Sequence, residues 1–191
     1  MEEIEVKFLD IDVAQIEEKL QVIGAERIGE TLSQIVCFDY QDHRLAASQA
    51  WVRLRTEFEK TELTYKQRLG VTSIDGSTSD TGMKEVQIEI SNFESARQFL
   101  LSIGLIEKFT EERKRIRWQK DEVEIDIDTW PLLKPYLELE GKTWESLQEL
   151  ATLLGLVWDD HKKFSAMQVY ALSGIDENSY SVLTFDQQIK K

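Results

Sequence analysis

Seven stretches of this chain alternate ionic and aliphatic residues with a period of two. The ionic positions are mostly Arg, Lys, Glu and Asp rather than the Ser, Thr and Gln common on wet sheet faces. The first is EIEVK, with Glu3, Glu5 and Lys7 on one side and Ile4 and Val6 on the other. Successive side chains of a strand point to opposite faces, so each stretch has one charged and one apolar face. WVRLR sets Arg53 and Arg55 against Val52 and Leu54, and ELTYKQR sets Thr64, Lys66 and Arg68 against Leu63 and Tyr65. KEVQIEI sets Glu85, Gln87 and Glu89 against Val86, Ile88 and Ile90. ERKRIRW carries Arg113, Arg115 and Arg117; VEIDIDTW carries Glu124, Asp126 and Asp128; YLELE carries Glu138 and Glu140.

Strand patterns span about 2–9, 34–40, 49–57, 61–69, 83–91, 108–119, 122–130 and 135–141. Three helical patterns accompany them. DVAQIEEKLQVIG has Asp12 as cap, an apolar stripe of Val13, Ile16, Leu20 and Ile23, and Gly24 as stop. NFESARQFLLSIG runs from cap Asn92 to Gly104, and TWESLQELATLLG from cap Thr143 to Gly155. QKDE (Gln119–Glu122) reads as a hairpin turn, and Gly70–Gly82 as a loop rich in Ser, Thr, Gly and Asp. One domain over 1–174 with a tail over 175–191 is the expected organisation.

Helices with apolar stripes can cover the aliphatic faces, leaving the charged faces as one surface. Arg forks suit phosphate oxygens, and carboxylates suit hard cations. Two geometries fit: an open sheet with a wet ionic face, or a barrel with an ionic interior. In the second, each unpaired dry charge costs several kcal/mol, so water, metal and a polyanion have to share the space. The net charge of −13 repels nucleic acid and anionic membranes at long range. An anionic substrate therefore needs a local basic pocket. No apolar run is long enough to span a membrane, the start MEEIEVKF is unlike a secretory signal, and Cys37 is the only cysteine. A cytoplasmic protein is the expectation.

The segments also resemble, in order, those of the CYTH superfamily, the triphosphate tunnel metalloenzymes. EIEVK is similar to its Glu-x-Glu-x-Lys signature, CFDY to its aromatic-Asp segment, WVRLR to its Arg-x-Arg strand and LTYKQR to its Thr-x-Lys strand. KEVQIEI resembles its acidic strand and Arg113–Arg115 its Lys-x-Arg strand. DIDTWPLLKPYLELE resembles its Asp followed by Glu-x-Glu, and HKKFSAM its late Lys segment. The departures are Arg113 in place of Lys, Gln87 within the acidic strand, and Phe164 where Tyr is frequent.

The resemblance, over about residues 2–170, implies a closed eight-stranded antiparallel β-barrel with a charged interior and helices outside, α+β in class. It implies a triphosphate-containing small molecule as substrate and Mg²⁺ or Mn²⁺ as cofactor. Lys7, Arg53, Arg55, Lys66, Arg113, Arg115 and Lys162 would hold the phosphates. Glu3, Glu5, Asp128, Glu138 and Glu140 would hold metal, with Glu85 and Glu89 as further candidates. Glu3, Glu5 and Lys7 form the expected catalytic group. Family members are often dimers, so a homodimer is compatible. The activity is a triphosphatase, a class IV adenylyl cyclase or, outside catalysis, a polyphosphate-binding module. Arg68 and Arg117 read as rim charges, Glu124 as a solvated strand end, Asp126 as an Arg partner, His43 and His161 as surface residues, and Trp130 as corner packing. Lys162 is preferred to Lys163 as the inward lysine.

Overall fold

A computed structural model of the chain describes residues 4–69 and 82–191. The elements run β1 (Ile4–Phe8), α1 (Val13–Val22), β2 (Glu26–Tyr40), α2 (Arg44–Ala47), β3 (Ala50–Glu57), β4 (Lys60–Arg68), β5 (Met83–Ile90), α3 (Phe93–Ser102) and β6 (Leu105–Lys120). They continue as β7 (Val123–Thr129), β8 (Tyr136–Gly141), α4 (Trp144–Leu153), α5 (Ala166–Leu172), β9 (Tyr180–Leu183) and β10 (Gln188–Lys190). Glu3 and most of the Gly70–Gly82 loop lie outside the described residues.

The three helices anticipated from sequence form where their caps place them. The Asp12, Asn92 and Thr143 side chains accept from the backbone N–H groups of Gln15, Ser95 and Ser146 at 3.0, 2.8 and 3.2 Å. Gly104 ends α3 at φ 95°, a conformation costly for any residue with a Cβ. Two further helices appear, the short α2 and α5. In α5 the Ser165 hydroxyl accepts from Gln168 N–H, and the Gln168 side chain accepts from Ser165 N–H, a reciprocal capping box.

The strands join one sheet in the order β1-β8-β7-β6-β2-β3-β4-β5, with β9 parallel to β6 and β10 antiparallel to β9. The expected closed eight-stranded barrel is not formed. The sheet has ten strands, and among the described residues its ends, β1 and β5, do not pair. Two causes are visible. The free edge of β1 is already taken: Lys7 and Lys162 exchange backbone hydrogen bonds of 2.8 Å in both directions. Closure would also set the acidic face of β1 beside Glu85 and Glu89 of β5, and like charges directly opposite are destabilising.

The aliphatic faces are covered as the alternation requires. Leu20 of α1 and Leu147, Leu150 and Leu154 at α4 pack on Val6, Ile125, Ile127, Leu137 and Leu139. Ala96 and Leu100 of α3 pack on Val36, Phe38 and Leu54. A third cluster lies on the ionic side. Val169 and Tyr170 of α5 and Leu183 of β9 meet Ile35, Trp130 and Tyr136. By strand register Ile35 shares the face of Arg55, and Tyr136 that of Asp128. The last helix and β9 therefore plug one end of the ionic face with apolar side chains. Among the described residues, no helix is long and apolar enough to cross a membrane.

Candidate active site

Although its edges stay apart, the sheet wraps its ionic face around one cavity of about 980 Å³. The wall draws on β1, β8 and β6 on one side and on β3, β4 and β5 on the other. Register explains the assembly. Glu5 lies opposite Glu140 and Lys7 opposite Glu138 across β1 and β8. Arg53 lies opposite Thr64 across β3 and β4, and Lys66 opposite Glu85 across β4 and β5.

Carboxylate oxygens of Glu5, Glu138 and Glu140 all lie within 4.8 Å of one another. Lys7 sits beneath them, 3% exposed, with Nζ 2.8 Å from Glu138 Oε2 and paired also with Glu5. Burial opposes ionisation of Glu138, but Lys7 and then Arg115 overcome it and hold its carboxyl at about 2. Three hard oxygen donors at this separation suit Mg²⁺ or Mn²⁺ better than a softer metal. Asp128 is elsewhere engaged: Arg115 Nε and Nη2 donate to its two oxygens at 2.7 Å each, and Arg113 Nη1 lies at 3.4 Å. Glu85 lines the cavity 3.1 Å from Lys66, whereas Glu89 is exposed near Lys60 at 3.8 Å.

The cations divide into two groups. Arg113, Arg115 and Arg117 of β6 are each paired with carboxylates, although Arg113 Nε is buried without a hydrogen-bond partner. Arg115 reaches Asp126 at 2.5 Å, Asp128 at 2.7 Å, Glu57 at 3.1 Å and Glu138 at 3.3 Å. Arg117, read as a rim charge, is a cavity-wall residue bonded to Asp126 and Glu124 at 2.7 Å. Arg53 differs. Among the described residues no carboxylate lies within ion-pair distance of it, and its Nε is buried without a hydrogen-bond partner. Burial lowers its pKa, and the neighbouring Arg55 and Arg113 charges push the same way. A guanidinium so placed is under-compensated and ready for an anion.

Lys162 forms an antiparallel bridge with Lys7, which puts their side chains on one face. The Lys163 ammonium instead lies 4.2 Å over the Trp144 ring. His161 stacks on Trp158 at 4.5 Å, and Trp130 is buried with Nε1 donating to Tyr136 Oη at 2.7 Å. Asp39 of the CFDY segment accepts from Tyr40, Leu45 and Ala46 N–H groups, fixing α2 rather than facing the cavity. Sequence reading missed Glu57 and Glu62. Glu57 was detectable as one further step of the WVRLRTE alternation past Arg55, and Glu62 as the same-face neighbour of Thr64.

The sequence profile of the CYTH domain matches residues 1–162. The chain belongs to the CYTH-domain family. No curated protein matches it. Solved structures share the fold. One is a candidate adenylate cyclase of Vibrio parahaemolyticus (TM-score 0.69, 16% identity, 88% of this chain and 97% of that one). Another is the PH1012 protein of Pyrococcus horikoshii (0.64, 20%, 88% and 99%). A third is a candidate adenylyl cyclase of Hippeastrum described as having a dominant triphosphatase activity (0.58, 16%, 91% and 95%). The CYTH match ends at Lys162, the residue bridged to Lys7, so α5, β9 and β10 lie beyond it.

Proposed function

We propose that this protein is a metal-dependent hydrolase of a linear triphosphate, inorganic or organic. The observation that carries this reading is the opposition, across one cavity, of the Glu5–Glu138–Glu140 carboxylates and the under-compensated Arg53 with Arg55 and Lys66. Phosphate oxygens take charge-assisted hydrogen bonds from Arg53, Arg55 and Lys66, with Lys162 adding a cation at the β1 edge. The three glutamates repel phosphate directly and are the proposed holders of Mg²⁺ or Mn²⁺. A divalent ion there supplies charge neutralisation and Lewis acidity. Lys7 keeps Glu138 ionised and therefore able to act as a ligand. Arg113 and Arg115, already held by carboxylates, form a rigid ion-paired wall. In the reaction a water oxygen bonds to the terminal phosphorus, the bridging P–O bond breaks with its electron pair going to the departing diphosphate or organic diphosphate, and the proton lost from the water passes to solvent as orthophosphate forms. Positioning and charge stabilisation carry such a transfer, with little covalent work for the protein.

The test is product identification after incubation with Mg²⁺ or Mn²⁺ and, separately, tripolyphosphate, ATP and thiamine triphosphate. Orthophosphate release is the expected result. Cyclic AMP with pyrophosphate from ATP would assign a cyclase instead, and tight tripolyphosphate binding without turnover a binding module.

A further inference from the structure

Four guanidiniums converge on one side chain that neither the motif pattern nor the proposed chemistry uses. Glu57 ends β3 on the ionic face, one alternation beyond Arg55, and is 9% exposed. Its Oε1 lies 2.8 Å from Arg113, 3.1 Å from Arg115 and 3.6 Å from Arg117, and its Oε2 lies 2.9 Å from Arg55. Burial opposes its ionisation, but Arg113, Arg55, Arg115 and Arg117 in turn hold it below the usual carboxylate range. It is therefore an anion at neutral pH in an arginine nest, the surroundings a phosphate group would seek.

As a counter-ion Glu57 is redundant. Arg55 also has Glu62 at 2.7 Å, Arg113 has Asp128, Arg115 has Asp126, Asp128 and Glu138, and Arg117 has Asp126 and Glu124. Every arginine it touches would keep a carboxylate without it. Its position is what distinguishes it. Arg53, Arg55 and Glu57 follow one another along one face, about 6.7 Å per step at ordinary strand rise. The cavity is thus polarised, under-compensated and positive at Arg53, with Lys66 held to Glu85 nearby, and closed by carboxylates at Glu57 and Glu124.

We propose that Glu57 is a specificity-determining residue that ends the phosphate track, standing where the next phosphate of a longer chain would lie and so confining the site to short polyphosphates. This deepens the triphosphate reading above and rests on it. A chain laid on Arg53 and Arg55 meets a fixed negative charge at its next unit, inside a wall where screening by salt is weak. Discrimination of this kind comes from a built-in repulsion rather than an added attraction.

The test compares tripolyphosphate and tetrapolyphosphate with Mg²⁺ present, by initial rates of orthophosphate release and by calorimetric binding. Wild type is expected to favour the triphosphate in kcat/KM by about tenfold or more, which is about 1.4 kcal/mol. Glu57→Gln, similar in shape but uncharged, should collapse that ratio to within about threefold, while Glu57→Asp keeps it. A merely structural role would lower both substrates together and leave the ratio intact, which overturns the proposal. Equal wild-type values overturn it without any variant, so a Gln variant that fails to fold does not protect it. If wild type binds but hydrolyses neither chain, a binding preference lost in Glu57→Gln still supports the stop while the hydrolase reading falls. Absence of binding to either chain overturns both.

Discussion

At the scale of single residues, the two kinds of arginine call for opposite outcomes. Arg115 is 5% exposed and held by four carboxylates, so removing it strands buried negative charge. Arg115→Ala should lose about 3–5 kcal/mol of stability, read by urea denaturation. Arg53 already lies among like charges without an ion-pair partner among the described residues. Arg53→Ala should leave the urea midpoint unchanged or raise it, and weaken triphosphate binding roughly 10–100-fold, the worth of a charge-assisted hydrogen bond. A large stability loss in Arg53→Ala would show that it is a structural ion like its neighbours. The distinction was not legible in the sequence. WVRLR and ERKRIRW look alike as arginine strands. Which arginine is saturated depends on β6 lying beside β7, whose Asp126 and Asp128 face Arg117 and Arg115 in register.

At the scale of elements, local signals gave most of the strands and three helices, because each is written in a window of a few residues. The alternation of VEIDIDTW or YLELE identifies both the strand and its two faces, and Asp12, Asn92 and Thr143 mark helix starts. The carboxylate trio followed from Glu-x-Glu patterns on strands that the fold sets side by side. Other features depend on chain segments far apart. Barrel closure turns on whether two distant edges pair, and Lys162 occupies one of them. The Ser165–Gln168 capping box is present in SAMQ but straddles the end of HKKFSAM, the late lysine segment, which hides the start of α5. β9 is short and lies parallel to β6, with no periodicity of its own to announce it. Since α5 seats Val169 and Tyr170 against Ile35 and Tyr136, its cap supports the plugged end of the cavity. Ser165→Ala should cost about 1 kcal/mol in urea denaturation. A loss near zero would mean that tertiary packing alone holds α5.

At the scale of the whole molecule, packing many ionised groups around one cavity makes stability depend on pH from both sides. Glu57 and Glu138 are ionised more readily in the fold than in the unfolded chain, Glu138 at about 2 against an ordinary 4.5. Their contribution is present above about pH 4.5 and is lost as pH falls toward 2. Another pair behaves oppositely. Glu111 of β6 and Glu177, in the turn before β9, lie near each other, each with a buried Oε2 that has no hydrogen-bond partner. Burial raises Glu111 well above 4.5, with the Glu177 charge next, and burial likewise raises Glu177. Protons on these two carboxyls are retained more easily in the fold than in the unfolded chain. Their stabilisation is therefore full below about pH 4.5 and declines as pH rises through the raised folded values. Arg53 and Arg113 temper Glu111, and Asp176 adds to the effect at Glu177. Wild type should be most stable in mildly acid solution and lose stability toward alkaline pH. Glu111→Gln removes the titration while keeping a hydrogen-bonding amide of similar size. It should flatten the alkaline decline in a series of urea midpoints from pH 2 to 9, leaving the acid limb below about pH 4.5, set by Glu57 and Glu138, where it was. An alkaline limb unchanged in this variant would place the titrating group elsewhere and show that the acid pair does not couple the C-terminal plug to the sheet.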